Sequence, residues 1–269
     1  TPAERAGLRA GDLILKIGDT STTDMTIDEA VGLIRGKKGT DVTLNVYRKG
    51  DAAAKNIVVT RDTISIPQIE TKQVGEDVFV ISLYNFGANS ANQFAQAVSE
   101  FQKTGRKNLV IDLRSNPGGY LDASVAIAGM FLPKGETIVT ESFGDKQKDE
   151  VYRSKGYGFV NPKETKIVIL VDKGSASASE ILAGALQQHG AATLIGETTY
   201  GKGSVQEVID VTGDTMLKLT IAKWLTPNGT WISQKGIDPN IVVKTKDGDF
   251  ANGKDPILAR ALQFFATGK

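Results

Sequence analysis

Apolar residues recur with two different periods along this chain, and the change of period divides it. Val42, Leu44 and Val46 alternate with Thr43, Asn45 and Tyr47, the spacing of a half-buried strand. Ahead of them, Thr26-Ile27-Asp28-Glu29 has the form of a capping box. Ile27, Ala30, Val31 and Ile34 then share one helical face until Gly36 stops the pattern. Pro2 suits the start of a short helical turn that ends at Gly7, and residues 13–17 read as extended. Gly50-Asp51 marks a turn before a closing strand at 57–60. Together these predict a small α+β module, followed at 64–69 by a connector that Pro67 interrupts.

Beyond the connector the pattern alternates between strand and helix. Strands are predicted at 78–83, 109–113, near 138–139, at 167–171 and at 192–195. Helices are predicted over 89–102, where Phe94, Ala97, Val98 and Phe101 keep helical spacing, and over 121–131 and 181–187. The run 109–113 is almost wholly apolar, as a strand covered on both faces should be. Such alternation predicts an α/β layer built on a mostly parallel sheet. The tail then turns β-rich at 205–211 and 216–225, passes a type I turn at Thr226-Pro227-Asn228-Gly229, and closes on a helix over 256–265.

Composition narrows the classes. A length of 269 residues is compatible with two domains, and the pattern divides them at 1–62 and 63–269. With 40% hydrophobic and 23% charged residues the chain can bury a core and is not disordered. Basic and acidic residues, 32 against 31, leave a net charge of +1, so no nucleic-acid partner and no anionic membrane surface is expected. No apolar run approaches the ~20 residues of a membrane-spanning helix. The chain opens on Thr1 without a basic and apolar leader, which suggests a mature form or an excised fragment. There is no cysteine and one histidine, which excludes thiol chemistry and multi-histidine metal centres.

Three segments could carry chemistry. In Gly174-Ser175-Ala176-Ser177-Ala178-Ser179-Glu180, small residues lie between a buried strand and a helix, where free amides and the helix dipole favour an oxyanion. The same residues also read simply as a capping box from Ser177 to Glu180. A serine nucleophile needs a proton acceptor. His189 lies twelve positions after Ser177, roughly 18 Å along a continuous helix, so it cannot serve. Lysine is the remaining base, and its ordinary pKa of ~10.4 must fall by about 3, which burial in apolar surroundings can supply. Lys202, between Gly201 and Gly203, is the candidate, or else an exposed turn lysine. If the chain is extended from 202 to 208, Gln206 shares its face and can orient the amine. The third segment, Asp112-Leu113-Arg114-Ser115-Asn116-Pro117-Gly118-Gly119, ends a buried strand in a glycine turn where amides converge. It reads as an oxyanion hole, a phosphate cradle or turn punctuation, and the lack of a following lysine-serine pair excludes a P-loop.

In this order the segments resemble those of the C-terminal processing peptidases, or tail-specific proteases, of serine peptidase family S41. Leu219–Gly229 and residues 235–239 also look like family segments, and Thr1-Pro2-Ala3-Glu4-Arg5-Ala6-Gly7-Leu8 with Gly11-Asp12-Leu13-Ile14 resembles the PDZ domains of bacterial proteases. The resemblance implies a crotonase- or Clp-peptidase-like α/β core with a β-rich C-terminal part, preceded by a PDZ domain truncated at its N-terminal end. It implies Ser177 as nucleophile, Lys202 as general base and Gln206 as its orienting residue. It also implies an oxyanion hole from Ala178 with Gly118 or Gly119, and Ser175 and Ser179 as scaffold. No cofactor or metal is implied. The expected partners are protein or peptide substrates taken by their C-terminal regions, together with a possible homo-oligomer, and the expected location is extracytoplasmic. A catalytically silent scaffold that holds polypeptide tails and a crotonase-type acyl-CoA enzyme are the alternatives. The second requires neither Lys202 nor Gln206.

Overall fold

The computed structural model describes all residues except 10, 64–66, 213–214, 234, 247–248, 250–252 and 269. The chain forms two compact units, Thr1–Ile66 and Pro67–Lys269. Residues 64–66 of the expected connector lie outside the described residues.

The first unit runs α1 (Pro2–Arg5), β1 (Leu13–Ile17), β2 (Thr20–Ser21), α2 (Ile27–Ile34), β3 (Asp41–Tyr47) and β4 (Lys55–Thr60). Its strands form one antiparallel sheet in the order β2-β1-β3-β4. The alternation read in the sequence is the packing: Val42, Leu44, Val46, Ile57 and Val59 are all buried in its core. The predicted cap of Thr26 with Glu29 on α2 is made, and α1 carries one that was not predicted, Thr1 with Glu4. One expected core residue is not there. Ile27 is 82% exposed at the first position of α2, while Met25, just before the cap, packs on the core with Ala30 and Ile34. Arg48 clamps the glycine turn ahead of β1, donating to both oxygens of Asp12 at 2.6 and 2.8 Å and to Gly7 O at 2.9 Å.

The second unit continues with β5 (Ile69–Val74), β6 (Val78–Leu83), α3 (Ser90–Lys103), β7 (Asn108–Asp112), α4 (Leu121–Ala128), β8 (Thr137–Ser142) and β9 (Glu150–Arg153). It ends with β10 (Lys166–Val171), α5 (Ala178–Gln188), β11 (Thr193–Gly196), β12 (Ser204–Thr212), β13 (Thr215–Leu225), β14 (Ile241–Val242) and α6 (Pro256–Thr267). Six strands form a sheet in the order β14-β11-β10-β7-β6-β5, parallel throughout except for β5. A second sheet, β12-β13-β8-β9, is antiparallel.

The apolar runs of β6, β7 and β10 are explained by burial on both faces. Phe79, Ile81, Leu109, Ile111 and Ile169 face the core shared with α3, α4 and α5. Val78, Val80, Val110, Val168 and Leu170 face the core shared with α6. The expected α/β class with a mostly parallel sheet and a β-rich tail is the observed one. Two details differ. Helix α4 ends at Ala128, short of residue 131, because the next amides bond three residues back, Met130 N to Ile127 O and Phe131 N to Ala128 O. Strand β5 gave no periodic signal: it is an edge strand with two apolar residues, and its place comes from pairing with β6.

Candidate active site

The two glycine-bearing turns meet because their parent strands are neighbours. β7 and β10 pair in parallel, so the turns that follow them leave the same edge of the sheet. Asp172, just after β10, accepts the amides of Ser115 and Gly174 at 2.8 and 2.9 Å. Asn116 is fully buried and anchors the other side. Its Nδ2 donates to Leu83 O, its Oδ1 accepts the Gly118 amide at 2.9 Å, and its carbonyl accepts from Ala176 N and Ser179 Oγ. Arg114 holds the base of the turn through Asp112 and Asp255, the residue that caps α6. Burial opposes the Arg114 charge, but the two carboxylates outweigh it and hold the guanidinium's pKa above its ordinary value.

Of the three serines, two are committed to structure. Ser175 and Ser179 are fully buried, and their hydroxyls donate to Leu113 O at 2.7 Å and Asn116 O at 2.9 Å. Ser177 is half-buried and sits at φ 57°, ψ −116°, a left-handed conformation that costs a side-chain-bearing residue ~1–3 kcal/mol. Strained strand-to-helix turns of this kind present a side chain above a sheet. Gly118 (φ +100°) lies directly beneath: a β-carbon there would be 2.8 Å from Ser177 Cβ and 2.9 Å from Ala178 N. On Gly119 (φ +145°) it would be 2.3 Å from Phe86 O. Among the described residues the amides of Ala178 and Gly119 donate no hydrogen bond, whereas that of Gly118 is taken by Asn116.

Glu180 carries more than the cap expected of it. Fully buried, it accepts Ser177 N at 2.9 Å, Thr199 Oγ1 at 2.6 Å, Gly201 N at 2.7 Å and Lys202 N at 2.9 Å. One carboxylate therefore ties the serine turn to the lysine segment. The sequence offered one signal for this role, an acidic residue within an otherwise small and apolar helix start.

The lysine side chain departs from expectation. Lys202 is exposed rather than buried, and among the described residues no hydrogen bond joins it to Ser177 or Gln206. The backbone is what enters the pocket. The Lys202 amide faces Glu180, and Gly203 packs so tightly that a β-carbon would stand 2.1 Å from Ser233 N. Gly201 and Gly203 have no side chains with which to cover the lysine stem. Gln206 is exposed as well, and the extended chain begins at Ser204, so Lys202 precedes the strand. Trp231, which the sequence reading passed over, donates from its indole nitrogen to Gly203 O at 3.0 Å and stacks beneath Lys223. His189 ends α5 and bonds Thr137 O at 2.7 Å, far from the serine turn, as its spacing required. Among the described residues no group of three His, Asp or Glu side chains could hold a metal ion, and no helix is long and apolar enough to cross a membrane.

The mostly parallel α/β layer that carries this strained serine is a fold shared with known serine peptidases. The model of peptidase family S41 matches residues 77–243, and that of a PDZ domain matches residues 1–48. The carboxy-terminal processing protease CtpA of Bacillus subtilis is 36% identical over 247 residues, 92% of this chain and 52% of its own length. CtpB of the same organism is 39% identical over 252 residues, 92% and 51% of the two chains. Among solved structures, a photosystem II D1 C-terminal processing protease is 29% identical with a TM-score of 0.67, covering 90% of this chain and 66% of that one. An S41 protease from Bacteroides fragilis shares the fold at 18% identity, with a TM-score of 0.69 over 100% of this chain and 76% of its own. The chain belongs to peptidase family S41 and carries a PDZ domain at its N-terminal end. It spans about half the length of the curated relatives it matches.

Proposed function

We propose that this chain is the core of a Ser–Lys endopeptidase that cleaves C-terminal regions of protein substrates. The observation that supports this best is the Glu180 carboxylate, which binds the amides of both Ser177 and Lys202 and so keeps the two segments together. Ser177 Oγ attacks the scissile carbonyl carbon while its proton passes to the amine of Lys202. The oxyanion is held by the amides of Ala178 and Gly119, and Gly118 permits the close approach. The C–N bond then breaks, the proton moves from Lys202 to the leaving amine, and water hydrolyses the acyl-enzyme at Ser177. Gln206 orients the lysine amine once substrate covers it. The PDZ domain supplies a second contact to polypeptide tails, and the protein works outside the cytoplasm.

The exposure of Lys202 favours one rival, a tail-binding scaffold without catalysis. Digestion of casein by the parent chain, Ser177→Ala and Lys202→Ala separates the two. The protease reading expects near-complete loss of cleavage in both variants with the far-UV circular dichroism unchanged. Cleavage that persists in either variant removes that residue from the mechanism, and a parent chain that binds tails without cutting them supports the scaffold.

A further inference from the structure

We propose that the free edge of β12 is the substrate track, where an extended, aliphatic stretch of the polypeptide being cleaved adds as a further strand. This rests on the protease reading above and names how that site holds its substrate. β12 is the terminal strand of its sheet, so along its nine residues one side of the backbone has no strand partner among the described residues. At ~3.3 Å per residue that is about 30 Å of open hydrogen-bonding edge. Such edges recruit other chains, and proteins ordinarily blunt them with proline, charged side chains (lysine above all) or a bulge. β12 contains neither proline nor lysine, its charged residues are two acids, Glu207 and Asp210, and the bulge on β12 itself falls between Asp210 and Thr212, at the end remote from Lys202.

A second observation concerns the face beside that edge. Val205 and Ala222 are paired across the hairpin and pack toward the core. Further along the same face Ile209 is paired with Leu217, and Leu219 lies between them and the core, yet these three are 40%, 46% and 40% exposed. The apolar residues of this face thus start at the core and run out into solvent, with Glu207, the partner of Leu219, at the position between Val205 and Ile209.

Third, the track is continuous with the candidate site. β12 begins two residues after Lys202, and the Gly203 carbonyl at its root is held by Trp224 N at 2.9 Å and by the Trp231 indole. A chain laid on this edge leads to the lysine segment. Its main chain would bond regardless of sequence, while alternate side chains would fall beside Ile209 and favour aliphatic residues.

The test uses the full chain carrying Ser177→Ala and a fluorescein-labelled ten-residue peptide of alternating leucine and threonine. The peptide is amidated so that it offers no terminal carboxylate to the PDZ domain. Fluorescence anisotropy is read for the parent peptide and for a series N-methylated at one residue at a time. The expected result is a rise in Kd of about 5–10-fold at every second position and little change between, since each lost main-chain bond weakens binding by roughly that factor. Leu217→Glu with Leu219→Glu should weaken the peptide by a similar factor with the urea midpoint retained. A flat N-methyl series, or no binding, overturns the proposal. So does a double variant that turns a dimer into a monomer in sedimentation velocity while peptide affinity is unchanged, since the face would then join two copies. Ser177-dependent casein cleavage with a flat series fails the track alone. Casein cleavage indifferent to Ser177 fails the protease reading, and the binding series still decides the track.

Discussion

The backbone amide of Lys202 donates to Glu180 Oε2 at 2.9 Å, and the same oxygen accepts the amide of Ser177 at 2.9 Å. Residues 25 positions apart in sequence are thereby held by a single atom that sees no solvent. Replacing the carboxylate separates packing from positioning. Glu180→Ala leaves one buried and three part-buried donors without their acceptor and is expected to lower stability by about 3 kcal/mol in urea unfolding. Glu180→Gln keeps the volume but turns an NH2 group toward two of those donors. It is expected to stay folded and to lose at least tenfold in casein cleavage.

Gly118 and Gly119 should tolerate no side chain. Gly118→Ala brings a methyl group to 2.8 Å from Ser177 Cβ and 2.7 Å from Ala176 O on a backbone at φ +100°. Cleavage should fall by roughly 100-fold or more, since an oxyanion site displaced by a few tenths of an ångström loses most of its effect. Gly229→Ala is the control. It has the same strained sign of φ, +76°, but open space around it, so about 1 kcal/mol of stability and no activity should be lost.

His189→Ala removes the chain's one imidazole. Its bond to Thr137 O ties the end of α5 to β8, so a stability loss of about 1 kcal/mol is expected. The casein rate should be unchanged. A large fall in rate at constant stability would bring histidine back into the chemistry.

The N-terminal unit should have its own acid transition. The side-chain hydrogen bonds from Arg48 hold the Asp12 carboxyl at about 2, below the ~3.9 of an unfolded aspartate. A depressed carboxylate stabilises the fold above the unfolded value, and that contribution disappears as pH falls from about 4 to about 2. Circular dichroism of residues 1–66 in the intact chain, read through a site-specific probe, should show this loss in the parent and not in Asp12→Asn.

Much of the architecture was legible because it follows from local periodicity. Strands β3, β6, β7 and β10 and helix α3 could be read from spacing alone, since each buries a regular set of side chains against its own sheet or core, and the Thr26 cap could be read from its four-residue motif. Edge strand β5 could not, because an edge takes its conformation from its neighbour's hydrogen bonds rather than from its own apolar pattern. Sequence also limited the chemistry: without cysteine, and with its histidine a helix length from the serine, the chain left lysine as the base to consider. Tertiary structure decided what no spacing could. It committed Ser175 and Ser179 to backbone carbonyls, left Ser177 strained and accessible, and gave the Gly118 amide to Asn116. It also drew the Lys202 backbone inward while its side chain stayed in solvent. These are outcomes of donors and acceptors, distant along the chain, competing for one buried carboxylate and one asparagine, and such competition exists only once the sheet has brought the turns together.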